Sequence, residues 1–324
     1  MKYLSALGLF FLLISCQETH TPEPEIDEEV AERTGVWLTI LGTVQDGGSP
    51  HIGCEKDCCK ELFLHPDKTR KVVSLGVIDY KNGKQYVFEA TPDFPSQLQF
   101  LRKQKDNQFG EMPDGVFLTH AHIGHYTGLM YLGREAKGAD SVPVFAMPRM
   151  KQFLENNGPW SQLVDLGNIS INEMAADSAI QLSDQLKIIP FLVPHRDEYS
   201  ETVGFKIIGP RKSLLFIPDI NKWEKWQRSI VAEIEAVDYA LIDATFYAEG
   251  EINRDMAEVP HPFVTETIDR LRASSNLNPA RDYQKIYFIH FNHTNPLIDP
   301  LSQEAETVRA LGFNVAEFGD EIAL

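Results

Sequence analysis

A chain of 324 residues, 43% hydrophobic and 10% aromatic, has the apolar material for a large core, and 24% charged residues suit an ordinary globular surface, which excludes global disorder. The formal net charge of −17 argues against a nucleic-acid backbone as partner, because phosphate binding needs clustered Lys and Arg to displace counterions. Small anionic substrates stay open, since a bound divalent ion sets its own local potential.

Lys2 followed by the apolar run 3–14 has the anatomy of a targeting segment, too short to span a bilayer comfortably as a helix, so residues 1–16 are set apart from the fold. Within it Leu13-Ile14-Ser15-Cys16 resembles the lipobox of bacterial lipoproteins. That resemblance implies cleavage before Cys16, a lipid on this cysteine, and attachment to a membrane of the bacterial envelope; an uncleaved anchor or a plain signal peptide is the other reading. Residues 17–35, rich in Glu, Thr and Pro without apolar periodicity, are expected to form a flexible acidic tether. One α/β domain then fills 36–324.

Its elements alternate along the chain. The run 36–43 is β-branched and apolar and leads into the turn Asp46-Gly47-Gly48. Strands over 75–80 and 85–90 flank Lys81-Asn82-Gly83-Lys84, where Asn-Gly predicts a type I′ hairpin turn. Further strands are expected over 115–119, 142–146, 186–193, 202–208, 213–217, 239–242 and 285–290. Helices are expected over 96–103, 148–156, 222–236, 262–273 and 302–311, and in the third Trp226, Ile230 and Ile234 recur as one apolar stripe for the core. Early hairpins followed by alternating helices and strands suggest packed layers with helices outside.

Eight of the ten histidines, all but His20 and His65, lie in short loops after apolar strands. His120, His122 and His125 follow Val116-Phe117-Leu118. Alternate residues of an extended segment face the same way, so His120 and His122 can address one ion while His125 reaches a neighbouring position after a turn. His195, Asp219 and His290 each close a later apolar run. Singly, each has a bland reading as a cap or loop residue; jointly they point to a metal centre, and three histidines with Asp219 suit one zinc.

This order, His-x-His-x-x-His, then a histidine, an aspartate and a final histidine, resembles the metallo-β-lactamase superfamily over residues 36–324. The resemblance implies a four-layer αββα sandwich, a first ion on His120, His122 and His195, a second on His125 and His290, and Asp219 bridging the two. Where the family has an aspartate before the third histidine, this chain has Gly124, so the second site is expected to be weak, aquated or empty, and an aspartate restored there to raise the ion count. Zinc is the expected ion, with manganese or iron as the other candidates.

The segments 42–59 and Phe291-Asn292-His293-Thr294-Asn295-Pro296 resemble the branch that holds coenzyme pyrroloquinoline quinone synthesis protein B and the phosphonate-pathway phosphodiesterases. That branch implies Cys54, Cys58, Cys59 and His293 as a structural zinc site, although the Cys-x-x-x-Cys-Cys spacing departs from the family and His51 competes as fourth ligand. Taken alone, the cysteines also permit a disulfide from Cys54 to Cys58 or Cys59; an odd number cannot pair completely.

In such a centre a divalent ion would make water nucleophilic near neutral pH, with Asp219 as the catalytic orienter or proton acceptor. The loop Glu258-Val259-Pro260-His261-Pro262 resembles one that carries an acid–base histidine in phosphodiesterase members, which makes His261 the candidate catalytic proton donor; a histidine capping the helix after Pro262 is the bland reading. Asp243 is read as a supporting residue, and Asp46, Glu89 and Asp93 as weaker loop candidates. The expected function is hydrolysis, at the envelope, of a small ester-like molecule, phosphodiester first and lactone or carboxylic ester second. The rivals are a protein B-like role in pyrroloquinoline quinone biosynthesis and a non-catalytic metal-binding lipoprotein.

Overall fold

Apolar residues alternate along most strands, and the alternation decides which core each side chain enters. The computed structural model describes residues 33–103, 109–253 and 255–324, so Cys16, the targeting segment and nearly all of the tether lie outside the described residues. Six strands, β1 (Val36–Gly42), β2 (Ser74–Asp79), β3 (Lys84–Phe88), β4 (Gly115–Phe117), β5 (Val142–Ala146) and β6 (Ile169–Glu173), pair in sequence order. Seven more, β7 (Ile180–Gln181), β8 (Lys187–Leu192), β9 (Val203–Ile208), β10 (Ser213–Ile217), β11 (Tyr239–Asp243), β12 (Ile286–Ile289) and β13 (Asn314–Val315), form a second sheet, also in sequence order. The last strand, β14 (Glu321–Ala323), returns to pair with β1 and completes, among the described residues, two mixed sheets of seven strands each.

Leu38, Ile40, Phe88 and Phe117 of the first sheet meet Phe205, Leu214, Phe216, Leu241 and Ile289 of the second in a central core. Their neighbours one residue along turn outward. Leu41, Val87 and Val116 pack beneath helices Phe94–Lys103 and Pro148–Asn156, while Leu215, Ile217, Ala240 and Ile242 pack beneath helices Ile230–Glu235, Val264–Arg272 and Gln303–Ala310. Helices, sheet, sheet and helices thus stack as the expected αββα sandwich.

Strand direction gathers the loops. β1 and β3 both run antiparallel to β2, and β4 is parallel to β3, so β1, β3 and β4 share a direction. β8 and β10 both run antiparallel to β9, and β11 and β12 follow β10 in parallel, so these four share one as well. Loops at carboxyl ends of such strands are where open α/β sheets place ligands.

Two local expectations are corrected. Type I′ geometry needs positive φ at both central residues, but only Gly83 (φ 62°) has it, and the pairing of Asp79 with Lys84 leaves a four-residue loop in which Asn82 bonds to the Asp79 carboxylate. The helix expected over 222–236 breaks into a 3-10 turn Trp223–Lys225 and the helix Ile230–Glu235. The break is local chemistry: the Ser229 hydroxyl accepts from the Ala232 N–H and caps the new start. Trp226, Ile230 and Ile234 still enter one core. The short strands β6, β7, β13 and β14 carry too little pattern to be expected from sequence.

Candidate metal centre

Each candidate ligand leaves the carboxyl end of a strand in one of the two co-directional sets. His120 and His122 follow β4, His195 follows β8, Asp219 follows β10 and His290 follows β12, while His125 sits in the one-turn helix Ile123–Tyr126. The first three histidines and Asp219 converge: His122 Nδ1 lies 2.8 Å from His120 Nε2 and 3.2 Å from His195 Nε2, and Asp219 Oδ2 lies 3.4 and 3.3 Å from those two Nε2 atoms. A tetrahedral ion with bonds of about 2.0–2.1 Å spaces its ligands about 3.3 Å apart, so this group has the dimensions of an ion cage. The same Asp219 Oδ2 is 3.8 Å from His125 Nε2 and so also faces a second group, His125, His290 and Asp46. Asp46 Oδ1 is 3.0 Å from His125 Nε2 and 3.3 Å from His290 Nε2.

The space beside Gly124 is therefore not the vacancy that sequence suggests. A side chain added at Gly124 would place its Cβ 2.7 Å from both Cα and Cγ of Asp46, because the Asp46 carboxylate already lies there.

Outer partners stand beside the far nitrogen of four of the five imidazoles, His195 Nδ1 having no hydrogen-bond partner among the described residues. His290 Nδ1 is 2.8 Å from Thr245 Oγ1, whose hydroxyl donates to Asp243 Oδ1 at 2.7 Å, so His290 donates from Nδ1 and keeps its Nε2 lone pair for the site. His125 Nδ1 faces the buried Glu89 carboxylate at 3.3 Å, His120 Nδ1 is 2.8 Å from Thr119 Oγ1, and His122 Nε2 is 3.0 Å from Glu198 Oε2. His120 Nε2 and His122 Nδ1 then approach to 2.8 Å, and with His120 protonated on Nδ1 their lone pairs would face each other. In that tautomer the pair suits a cation lying among them, and outward anchoring of this kind is how metal-ligating histidines are held. Burial, reinforced by His125, keeps His120 well below the usual histidine range and hence neutral. Burial alone would also lower His125, but Asp46 and Glu89 outweigh it and raise that imidazole. Glu89 (φ 74°) and His290 (φ 72°) hold left-handed backbone conformations that non-glycine residues rarely adopt, a concentration of strain typical of functional sites.

His261 stands beside this centre. Its Nδ1 is 2.9 Å from Asp243 Oδ2 and 3.2 Å from Asp219 Oδ1. Burial pulls its affinity for a proton down, yet Asp243 and Asp219 together carry it up to about 9. Asp243, fully buried, also accepts from the Ile220 and Thr245 N–H groups, which makes it the brace between the β10 and β11 loops. Thr119, Thr245 and Glu198 were not among the residues expected from sequence; Asp93 supports the fold instead, accepting from the Val72 N–H.

The three described cysteines are free thiols beside His293. Cys54 Sγ to Cys58 Sγ is 4.0 Å and Cys58 Sγ to Cys59 Sγ is 3.8 Å. Disulfide sulfurs sit at about 2.0 Å, whereas a tetrahedral zinc with Zn–S of about 2.3 Å has S···S edges of about 3.8 Å. Burial and the adjacent thiols push Cys58 up to about 12, while at Cys54 burial is outweighed by hydrogen bonds from its neighbours, which lower it, and a cation among the sulfurs would favour the thiolate of each. Burial and His51 bring His293 down to about 4, which leaves it neutral and able to ligate. His51 stacks on the His293 ring and turns its Nδ1 to the Ile52 carbonyl, and His293 is the histidine whose nitrogen lies within reach of the three sulfurs.

Fold and site define the class: the chain belongs to the metallo-β-lactamase superfamily, and the model of a beta-lactamase superfamily domain matches residues 84–291. Among curated relatives, coenzyme PQQ synthesis protein B of Xanthomonas euvesicatoria is 26% identical over 313 residues, covering 89% of this chain and 99% of the relative. Its counterpart in Nitrosococcus oceani is 27% identical over 321 residues with the same coverage. Among solved structures, Zn(2+)-bound PqqB from Methylobacterium extorquens superposes with a TM-score of 0.70 at 21% identity, covering 89% of this chain and all of that one. A diphosphatase of the PhnP family gives a TM-score of 0.59 at 22% identity, with 89% and 97% coverage.

Proposed function

We propose that this chain is a metal-dependent hydrolase of small ester-like molecules, phosphodiesters first and lactones or carboxylic esters second. The observation that carries this reading is the convergence of two histidine groups on one oxygen of Asp219, with His261 at its side. Divalent ions bound by these groups would lower the pKa of a coordinated water to about 7 and polarise the scissile bond.

The chain's own residues supply the rest. Asp219 Oδ2 faces both histidine groups, and Oδ1 is turned toward His261, where it can accept and pass a proton. His261 commits Nδ1 to Asp243 and Asp219, which leaves Nε2 to protonate a departing oxygen. Glu89, Thr119, Thr245 and Glu198 hold the ligand imidazoles in place, so binding needs little reorganisation.

A second reading, participation in pyrroloquinoline quinone biosynthesis, is supported by the names and nearly full-length coverage of the curated relatives. Zinc has no redox chemistry, so one experiment separates the two. The protein lacking residues 1–16 is loaded with zinc alone and assayed without oxygen on bis-p-nitrophenyl phosphate, a lactone and an aryl acetate. Chelator-sensitive turnover supports hydrolysis. No turnover on any of them, together with restored cofactor production in a strain lacking protein B, would overturn it in favour of the second reading.

Attachment at the envelope through Cys16 belongs to the same proposal, supported by the sequence of 1–16; among the described residues no helix is long and apolar enough to cross a membrane. Release of a Cys16→Ser protein from the membrane fraction is expected, and equal retention would refute lipid anchoring. The non-catalytic reading drew on the missing acid at Gly124, and the carboxylate of Asp46 in that space weighs on the side of hydrolysis.

A further inference from the structure

We infer that Asp46 is a metal ligand that replaces, from another part of the chain, the carboxylate lost at Gly124, so that the second ion is held by Asp46, His125, His290 and Asp219. This rests on the reading of the histidine groups as ion sites and adds the donor that the first motif lacks. The relocation is spatially direct. The Asp46 side chain occupies the volume a residue-124 side chain would need, and its Oδ1 reaches both second-site imidazoles.

The loop that delivers it is built for the purpose. Gln45 donates its N–H to the Phe291 carbonyl at 2.8 Å and Phe291 donates to Thr43 at 2.7 Å, so Asp46 and His290 are each one residue from the same pair of backbone bonds. Gly48 (φ 73°) closes the turn, with its N–H donating to the Gln45 carbonyl at 2.9 Å. Gly47 lets His51 pack closely, since a Cβ there would sit 2.6 Å from the His51 ring. His51 in turn donates its backbone N–H to Cys59 Sγ and stacks on His293. The cysteine cluster thereby braces the strap that carries Asp46.

Hydrogen bonding alone is the competing role, with Asp46 merely orienting His125, and ion counts distinguish the two. Bound metal per chain and zinc affinity by chelator competition are measured for the wild type, Asp46→Ala, Asp46→Asn and Gly124→Asp. The assignment predicts three ions in the wild type, one on the cysteines and two on the histidine groups. Both Asp46 variants should hold two, with affinity for the weakest ion down by at least the roughly 10–100-fold that loss of an outer partner costs. Gly124→Asp should add none, because the new side chain collides with the strap. Equal counts and affinities in the wild type and both Asp46 variants would overturn the assignment alone. A wild type with metal on the cysteines only would overturn it together with the hydrolase reading.

Discussion

Replacing Thr245 by valine tests whether the hydrogen-bond chain from Asp243 through Thr245 to His290 sets the second ion site. Valine keeps the volume, so no cavity opens, but the bond to His290 Nδ1 at 2.8 Å and the bond to Asp243 Oδ1 at 2.7 Å are both lost. Asp243 keeps the Ile220 and Thr245 N–H groups and His261, whereas the buried His290 Nδ1–H loses its acceptor. An unsatisfied buried donor costs about 1–3 kcal/mol, which at about 2–4 °C per kcal/mol lowers the melting temperature of the metal-free protein by several degrees. Freed to rotate or change tautomer, His290 should also bind its ion about 10–100-fold more weakly, or about 1.4–2.8 kcal/mol at 1.4 kcal/mol per tenfold. The assay is thermal melting of the chelated protein beside chelator-competition titration of the loaded one, with Thr245→Ser as the variant that retains the hydroxyl. Wild-type melting and affinity in the valine protein would refute the chain.

Three further expectations separate the parts of the centre. His120→Ala should lose metal from the histidine groups and keep the cysteine-bound ion, while Cys58→Ser should lose that one ion and melt at lower temperature; the same loss pattern in both proteins would deny two distinct centres. His261→Gln should slow alkyl esters by about 10²–10⁴, the usual contribution of a general acid. The same variant should leave p-nitrophenyl esters nearly unaffected, because nitrophenolate departs without a proton; equal slowing of both ester types would make His261 a structural residue. Glu198→Gln, whose side chain is 47% exposed beside His122, should weaken metal binding less than Thr245→Val does, by measured dissociation constants.

The layers and the convergence of the histidines were legible because both are written as strong local patterns. Period-two runs such as Leu214-Leu215-Phe216-Ile217 face two cores in alternation, and a histidine or aspartate closing such a run is exposed by its contrast with it. Asp46 stood only as a weaker loop candidate for the opposite reason. Asp-Gly-Gly is ordinary turn chemistry, and only the fold brings residue 46 against residue 124. The available signal was a deficit, Gly124 where an acid is expected, with an acid in the glycine-rich segment of the same family resemblance to meet it. Thr119, Thr245 and Glu198 act through side-chain pairings with no fixed sequence spacing. The interruption at Ser229 shows a single cap overriding a helical stripe whose apolar residues reach the core regardless.

The surroundings of the histidines weigh against a metal-binding remnant. Glu89 and His290 each hold a strained backbone conformation at a cost of about 1–3 kcal/mol, and Glu89, His120, His125, His195, Asp219, Asp243 and His290 are all withdrawn from water. Among them Glu89 Oε1, His195 Nδ1 and Asp219 Oδ1 complete no hydrogen bond within the protein. Against a native stability of about 5–15 kcal/mol, two strained residues and several unsatisfied buried polar atoms are a substantial penalty for an αββα frame whose apolar cores would stand without them. The cysteine cluster could brace the N-terminal loop alone, so bracing gives no reason for a second, histidine-rich centre. What those costs achieve is the convergence of imidazole lone pairs and one Asp219 oxygen on adjoining points, with Asp46 and His261 at their sides. That arrangement is what the proposed hydrolase would need, and it supports that reading over a remnant.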